Sequence, residues 1–401
     1  MVTLRVAAMG RYFVLALALA LQGYADGRAS DGPPRAIRTA QKITSVSSAR
    51  QEPESEGQSL PATRPDPTEL ALERGLEFLA SQQSRTGTGA LPCTHGAEFA
   101  PVGVTALGAL AWMGGGSSLT RGPYSPQLKL AVKYLLDHQL QEGPAAGYIT
   151  DSADQRSQTH GHGLATLALT QAYAQSPRSP QGARLQKAIS AAVVRIEASQ
   201  GIDGGWFYDP HPTTEQEGSV TVCLVWALRG ARNAGFKVDA AVIAKAITYV
   251  KSLQAKNGGF RYSHSMPTTS VALTAASLST LHATGIYEGA VVEDGYGYIW
   301  RELSARDLDS GQIDQPIFPF YERMYLSQAL WQHRDTKIFW TWATPEQQRV
   351  LRAQHADGSW EDRRLSAGGD PVVARYGGAY ATAVNCLFLA VPRGSLPVFT
   401  R

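Results

Sequence analysis

The chain has 401 residues, of which 43% are hydrophobic, and a formal net charge of +3 at pH 7. It is long enough for one large domain or two ordinary ones with a substantial core. Residues 1–65 carry eight Lys and Arg against five Asp and Glu, which accounts for the whole positive excess. The remainder is balanced, so no overall basic excess favours nucleic-acid binding, and we expect no nucleic-acid partner.

The first residues have the pattern of a secretory signal peptide. Arg5 and Arg11 precede an apolar run over 13–21, and Gly23-Tyr24-Ala25 offers small residues for cleavage. The run is too short to span a bilayer. We predict a signal peptide over 1–25 (an uncleaved anchor is the alternative), no further membrane span, and an exported protein, periplasmic or secreted.

Residues 26–65 are predicted to be a disordered linker. They are rich in Pro, Ser, Gln, Arg and Glu, so they cannot bury enough apolar surface to offset the entropy cost of ordering. Residues 66–401 then form the folded domain. Its three cysteines, Cys93, Cys223 and Cys386, are expected to be buried free thiols.

A long-period repeat dominates the folded domain. Five helical stretches end in a glutamine followed by a glycine-rich turn, and in four of them an aromatic residue follows. The five glutamines are Gln83, Gln139, Gln200, Gln254 and Gln354. We expect a structural motif, in which glycines allow a sharp reversal and glutamines satisfy helix-end carbonyls or neighbouring amides. The aromatic residues Trp206, Phe260 and Trp360 are predicted to pack under the turns.

Six more apolar segments alternate with these amphipathic helices, and they are apolar nearly all round, as expected for a layer buried on both sides. They span 102–114, 161–175, 218–235, 268–285, 321–333 and 377–391. The 100-residue interval between Gln254 and Gln354 contains one degenerate unit, whose outer helix we place near 288–304. The sequence therefore predicts an all-α fold, an (α/α)6 toroid of six helical hairpins.

The glutamine motif resembles the QW repeat of squalene and oxidosqualene cyclases. The segment KAITYVKSLQAKNGGF fits that repeat with Phe260 in place of Trp. The chain is also similar to protein prenyltransferase β-subunits and to exported bacterial prenyltransferase and squalene-cyclase repeat proteins. The resemblance covers roughly residue 67 to the C-terminus and implies the toroid of the terpenoid cyclase and prenyltransferase superfamily.

The catalytic motifs of these families are broken. The zinc-binding Asp-x-Cys pair of the prenyltransferases has Thr221 before Cys223, and the last inner segment has no His, so we predict no metal and no cofactor. Class II cyclases protonate an alkene with the middle aspartate of Asp-x-Asp-Asp, and Asp307-Leu308-Asp309-Ser310 matches three of the four positions. Asp309 is therefore a catalytic candidate, with a solvated turn as the alternative.

Toroids of this kind also serve glycan hydrolases and lyases, whose mouths present paired carboxylates and aromatic platforms. Carboxylates in the loops that enter the inner segments are Glu215, Glu217, Asp309, Asp314 and Asp370. The sequence does not show any two of them at a working distance.

Side chains at the start of the inner segments are candidates for lining the mouth of the toroid, although they could equally be packing or helix-capping residues. They are His160, His162, Tyr321, Arg323, Tyr325 and Tyr376. Glu322 is expected to pair with Arg323 and is a second catalytic candidate.

The leading hypothesis is a scaffold whose mouth binds a ligand or a protein, the ligand classes considered being isoprenoids and glycans. The alternative is an enzyme, either terpenoid cyclase-like or a glycan hydrolase or lyase. Two carboxylates converging within about 5–10 Å in a deep cavity would favour glycan chemistry. An inward-directed Asp309 would favour cyclase chemistry, and a centre filled with side chains would favour the scaffold.

Overall fold

The computed structural model shows helices in two alternating layers. It describes residues 66–93, 99–152, 154, 157–306, 318–361, 364–365, 371–372 and 376–397. The outer helices are α1 (Pro67–Thr86), α3 (Ser125–Asp137), α5 (Gly182–Ala198), α7 (Ala240–Ser252), α9 (Ala290–Ala305) and α11 (Thr336–Arg352). The inner helices are α2 (Pro101–Gly114), α4 (Gln158–Gln175), α6 (Gly218–Asn233), α8 (Val271–Ala283), α10 (Pro319–Gln332) and α12 (Gly378–Ala390).

Strands are short and lie in connecting loops. Strands β1 (Phe260–Ser263) and β2 (Met266–Ser270) form an antiparallel hairpin before α8, with Phe260 opposite Ser270. Strands β3 (Arg364–Leu365) and β4 (Pro371–Val372) pair before α12. A short 3-10 helix, Val391–Arg393, follows α12.

The two layers differ in burial as the apolar patterns predict. Helix α1 buries one stripe, which includes Leu72, Leu76 and Leu79, whereas every residue of α2 is buried. A helix with one apolar stripe covers a core from outside, and a helix that is apolar all round lies inside it. The alternation of the two kinds therefore produces an outer and an inner layer.

The inner layer is a closed ring. Each inner helix packs against the next one in the chain, and α12 packs against both α2 and α1. Closure leaves no exposed end face of the kind that an open solenoid must cap. The predicted (α/α)6 toroid is confirmed, and this compact unit spans Pro67–Arg401. Among the described helices, none combines the length and apolarity needed to cross a membrane.

The glutamine side chains link neighbouring outer helices. In each case the side-chain Nε2 donates to a glycine carbonyl in its own turn and to a second carbonyl in the first two turns of the next outer helix. The acceptor pairs are Gly89 and Gln127 for Gln83, Gly147 and Ala188 for Gln139, Gly204 and Val242 for Gln200, Gly258 and Val291 for Gln254, and Gly358 and Ala71 for Gln354. The contact within the turn was predicted, whereas the link to the next helix was not.

The aromatic residues of the motif are buried under the turns, as predicted. Trp206 and Phe260 are 0% exposed and Trp360 is 2% exposed. The backbone N–H of each donates to a threonine hydroxyl in the first turns of the following inner helix. The threonines are Thr221, Thr274 and Thr382.

The degenerate unit predicted near 288–304 is α9, and it lacks the glutamine. Gly204 has φ +97°, and a Cβ there would collide with the backbone carbonyl of Lys245 in the next outer helix. Gly258 has φ +88°, and a Cβ there would collide with the backbone carbonyl of Asp294 in its own next outer helix. Lys245 and Asp294 are therefore equivalent, and nine residues further along Gln254 corresponds to Leu303. Because leucine has no amide, it cannot form the link between α9 and α11.

Candidate functional site

The mouth of the toroid lies where the inner helices begin. These helices are largely buried, and the partly exposed side chains in the first turns of α4, α10 and α12 include His160, Tyr321 and Tyr380. We define the mouth by His160, Ser219, Tyr321 and Tyr380 on the inner helices and by Tyr208 in the loop between α5 and α6. It is the place where the described structure gathers polar and aromatic groups at the open end of the ring.

Glu217 immediately precedes α6 and caps it. Its carboxylate accepts hydrogen bonds from the backbone N–H of Ser219 at 2.7 Å and of Val220 at 2.5 Å, and also from the Ser219 hydroxyl. Such a cap satisfies N–H groups that have no partner within the helix. Glu217 is 0% exposed. Burial raises the pKa of its carboxyl to about 7, against the lowering effect of these hydrogen bonds.

His160 lies beside this cap. Its Nε2 is 3.2 Å from the Ser219 hydroxyl and 4.0 Å from Oε1 of Glu217, and 22% of its side chain is accessible. Burial lowers the pKa of His160 to about 4, so the ring is neutral at pH 7. In a nucleophilic triad the carboxylate holds the opposite ring nitrogen from the serine. Here both groups face Nε2, so the cluster is not a hydrolase triad.

His162 lies in the wall of the toroid. It is 1% exposed, and its Nδ1 accepts the backbone N–H of Ile149 at 3.1 Å. This is the contact that Thr221 makes with Trp206 in the next repeat. Burial lowers the pKa of His162 to about 3. Its position is that of a packing residue, which was one of the two interpretations of the sequence.

Tyr321 and Tyr325 lie on one face of α10, with ring centroids 4.6 Å apart. The ring of Tyr325 is 4.9 Å from that of Trp226 on α6. Since α8 lies between α6 and α10 in the ring, this contact lies inside the ring, in front of α8. Aromatic side chains therefore occupy this part of the interior beneath the mouth.

The predicted pair of Glu322 with Arg323 is wrong. Glu322 makes a two-bond pair with Arg306, at 2.5 and 3.0 Å. Arg323 binds Glu346 of α11 and Asn385 of α12. Successive residues of a helix point about 100° apart, so these two side chains meet different neighbours. Burial would raise the pKa of Glu346, but the charges of Arg323 and Arg349 outweigh it and hold that pKa below its usual value.

A second group of aromatic residues lies at the start of α12. The ring of Tyr376 is 5.1 Å from that of Tyr380, which is 5.8 Å from Phe320 of α10. Across the mouth, the hydroxyls of Tyr208 and Tyr262 are 3.2 Å apart, and the ring of Tyr208 is 5.7 Å from that of His160. The sequence analysis missed Tyr208 and Tyr262, although each follows a glutamine motif within a few residues.

The remaining carboxylate candidates do not join this cluster in the described structure. Glu215 is exposed. Asp309, Asp314 and Asp370 lie outside the residues that the structure describes. Among the described residues, no three His, Cys, Asp or Glu side chains come together as a metal site.

The cysteines are free and buried, as predicted. Burial raises the pKa of Cys93 and of Cys223 to about 12, so neither thiol is reactive at neutral pH.

Two open grooves lie on the outer wall. One, of about 680 Å³, is lined by α5 and the residues that lead into α7, and the other, of about 660 Å³, lies between α3 and α5. Both are lined by Ser190 and by Val194, which is 61% exposed. Their lining includes charged and polar side chains but, unlike the mouth, no aromatic side chain.

No protein-family model matches the sequence, and no curated protein matches it. The fold is similar to that of cellobiose 2-epimerase from Bacillus thermoamylovorans, with a TM-score of 0.59, 12% identity, and coverage of 80% of this chain and 98% of that one. For a GH76 α-mannanase from Bacteroides thetaiotaomicron the TM-score is 0.56, at 11% identity, covering 80% of this chain and 94% of that one. For the type II terpene cyclase MstE from Scytonema the TM-score is 0.50, at 15% identity, and the match covers 81% of this chain and 99% of that one.

These likenesses define the class of the fold. The chain has the α/α toroid that terpene cyclases share with sugar epimerases and mannanases. At such identities the likeness concerns the fold, and function must be argued from the mouth.

Proposed function

We propose that the protein is an exported toroid that binds a ligand in its mouth without converting it. The observation that carries this proposal is that Glu217 and Glu322, the two acids at the starts of the inner helices α6 and α10, are engaged in structural contacts. Glu217 is 0% exposed and caps α6, and Glu322 is 5% exposed and pairs with Arg306. A general acid or base must come within hydrogen-bonding reach of the substrate. Both carboxylates are buried and bonded to the protein, so neither is presented to the mouth in this arrangement.

Aromatic packing beneath the mouth supports the same proposal. The Tyr325–Trp226 contact lies inside the ring, and we place the entry of the ligand above it, around His160, Tyr208 and Tyr321. Partly exposed aromatic and polar side chains that converge at one end of a fold are what a small-molecule site needs.

Export is supported by the N-terminal pattern alone. Arg5, Arg11 and the apolar run that follows them have the order of a signal peptide. Intact-mass analysis of the protein recovered from the periplasm or medium tests this part of the proposal. A mass that begins near residue 26 supports it, and full-length protein confined to the cytoplasm contradicts it.

A second candidate function is an enzyme that uses Glu217 and His160. The pKa of Glu217, about 7, is near the value that suits a general acid at neutral pH. His160 Nε2 lies 4.0 Å from that carboxylate. This alternative requires the cap of α6 to open, because Glu217 has no exposure in the present arrangement.

The place where the ligand binds can be tested by measuring how much the ligand raises the melting temperature of variants whose mouth or outer groove is blocked. His160→Trp places a large ring at the mouth, and Val194→Trp makes a matched change on the outer wall. We expect the first variant to abolish the shift and the second to keep it. Loss of the shift only in Val194→Trp would move the binding site to the outer grooves and overturn the proposal.

A further inference from the structure

Helix α10 presents a polar stripe to the central axis. Tyr321, Tyr325 and Gln328 follow one another at intervals of four and three residues, so they share one face of the helix. The contact of Tyr325 with Trp226 of α6 shows that this face is directed across the ring. The stripe is therefore the inner continuation of the mouth.

Two members of this stripe have unmet hydrogen-bonding capacity. The Tyr321 hydroxyl and Oε1 of Gln328 are buried without a hydrogen-bond partner among the described residues. Buried polar atoms in native proteins are nearly always paired, with protein, with water or with a ligand. Two unpaired atoms on one stripe directed into the ring are therefore available to hydrogen-bond a bound molecule.

The chemistry around the stripe restricts that molecule. A hydrocarbon occupant would leave the hydroxyl and the amide oxygen unpaired. A charged occupant would gain little from the charges beside α10, because Arg306 and Arg323 are already paired with Glu322 and Glu346. Tyrosine and tryptophan rings beside amide and hydroxyl groups suit a molecule that has both apolar C–H faces and hydroxyls.

We propose that the ligand of the mouth is a neutral polyhydroxylated molecule, a sugar residue, that hydrogen-bonds to the polar stripe of α10. This inference rests on the proposed function, since it names the chemical class of the ligand for the same site. Tyr321 is partly exposed at the mouth, and Gln328 lies deeper on the same face, beyond Tyr325, so the ligand displaces both tyrosine rings as it reaches Gln328. Tyr321 and Gln328 then determine the selectivity for hydroxyl groups.

The unliganded protein provides the first test. Tyr321→Phe removes a hydroxyl that has no partner, whereas Tyr296→Phe removes one that donates to the carbonyl of Ala329 at 2.7 Å. We expect the melting temperature to rise by about 2 °C in the first variant and to fall by about 2 °C in the second. A fall in both variants would show that the Tyr321 hydroxyl has a partner, and it would overturn the inference.

Calorimetric titration provides the second test, with a panel of neutral mono- and disaccharides that includes mannose and cellobiose, and with farnesol as the isoprenoid probe. We expect a sugar to bind and farnesol not to bind. Tyr321→Phe and Gln328→Leu should each lower the sugar affinity by about tenfold, which is the effect of losing one good hydrogen bond. Tyr287→Phe, an exposed tyrosine on the outer wall, is the control and should leave the affinity unchanged.

The outcomes separate this inference from the proposed function. If farnesol binds and no sugar does, the proposed ligand class is wrong, but the proposed binding function stands. Binding of a sugar with unchanged affinity in Tyr321→Phe and Gln328→Leu would overturn the role of the stripe. Conversion of a bound sugar would support sugars as the ligand class and overturn the proposed non-catalytic function. If neither a sugar nor farnesol binds, both the ligand class and the proposed function are overturned.

Discussion

The side-chain amide of Gln354 donates to the backbone carbonyl of Ala71, 283 residues earlier in the chain, at 2.8 Å. The same amide also donates to Gly358 in its own turn, at 2.9 Å. One side chain therefore fixes a turn and joins the last outer helix to the first. Four other glutamines make the equivalent pair of hydrogen bonds. A short local motif therefore joins neighbouring outer helices at five places in the described ring.

Gln354→Ala should weaken the closure of the ring. The variant loses both hydrogen bonds and also the one that Oε1 accepts from Arg74 of α1, so we expect the free energy of unfolding to fall by about 1–3 kcal/mol in denaturant titration. Gln348→Ala, at an exposed position of the same helix, is the matched control and should change stability by less than about 0.5 kcal/mol. Equal effects of the two substitutions would show that the link to Ala71 contributes nothing to stability.

Leu303→Gln should supply the link that α9 lacks. Position 303 corresponds to Gln254, so an amide there could reach the first turns of α11 as Gln254 reaches Val291. We expect a gain of about 0.5–1.5 kcal/mol in the free energy of unfolding. Leu303→Met, which keeps the volume without an amide, should be neutral. A loss of stability in Leu303→Gln that exceeds that of Leu303→Met would show that the seam between α9 and α11 has a different geometry.

Glu217 should make stability depend on pH. Its folded pKa, about 7, is above the ordinary value of 4.5. Both states are protonated below about 4.5, so no cost arises there. As pH rises from there to about 7, the unfolded chain loses its proton first, and the folded state loses about 3 kcal/mol relative to it.

Glu217→Gln removes this effect, so the measurement is the difference in unfolding free energy between wild type and variant from pH 4.5 to pH 8. As pH rises from 4.5 to about 7, the wild type should lose unfolding free energy relative to Glu217→Gln, and above pH 7 the difference should stay constant. The titratable groups around Glu217 are His160, Cys223, Tyr249, Tyr262, Tyr321 and Tyr325. Burial raises the pKa of the thiol and the phenols, so these groups stay protonated across this window in both folded proteins. Folded His160 is neutral over most of the window because burial lowers its pKa to about 4. A flat difference would mean that Glu217 is ionised without cost.

Glu322→Gln should reduce stability and leave ligand binding intact. The substitution replaces a partly buried two-bond ion pair with Arg306 by a weaker contact, so we expect a loss of about 1–3 kcal/mol in unfolding free energy. Ligand affinity measured by calorimetry should stay within about twofold, since Glu322 does not open into the mouth. Unchanged stability together with lost binding would instead assign Glu322 to the site.

The sequence predicts those parts of the fold that depend on local patterns. The apolar periodicity separates outer from inner helices, and the interval between Gln254 and Gln354 reveals the degenerate helix α9. Trp206 is buried because any turn of this motif places its aromatic residue under the outer helix. These features recur in each repeat, so one sequence shows the same pattern several times.

Contacts between repeats were harder to predict. The partner of Glu322 is Arg306 rather than its neighbour Arg323, because the rotation of α10 in the ring decides which side chain meets α9. The bond of Gln354 to Ala71 depends on closure of the ring. His162 has the role of a threonine in other repeats, and that role becomes visible only when the repeats are superposed on their hydrogen bonds. A single sequence carries no local signal for such relationships.

The most direct test of the central claim is a combined measurement of binding and turnover. The purified protein is incubated with pooled neutral sugars, isoprenoid alcohols and isoprenoid diphosphates, and mass spectrometry then compares the bound and free molecules with those added. Our account predicts a complex with a chemically unchanged ligand, which His160→Trp abolishes. A new product that disappears in Asp309→Asn or Glu217→Gln would contradict it and show that the toroid is an enzyme.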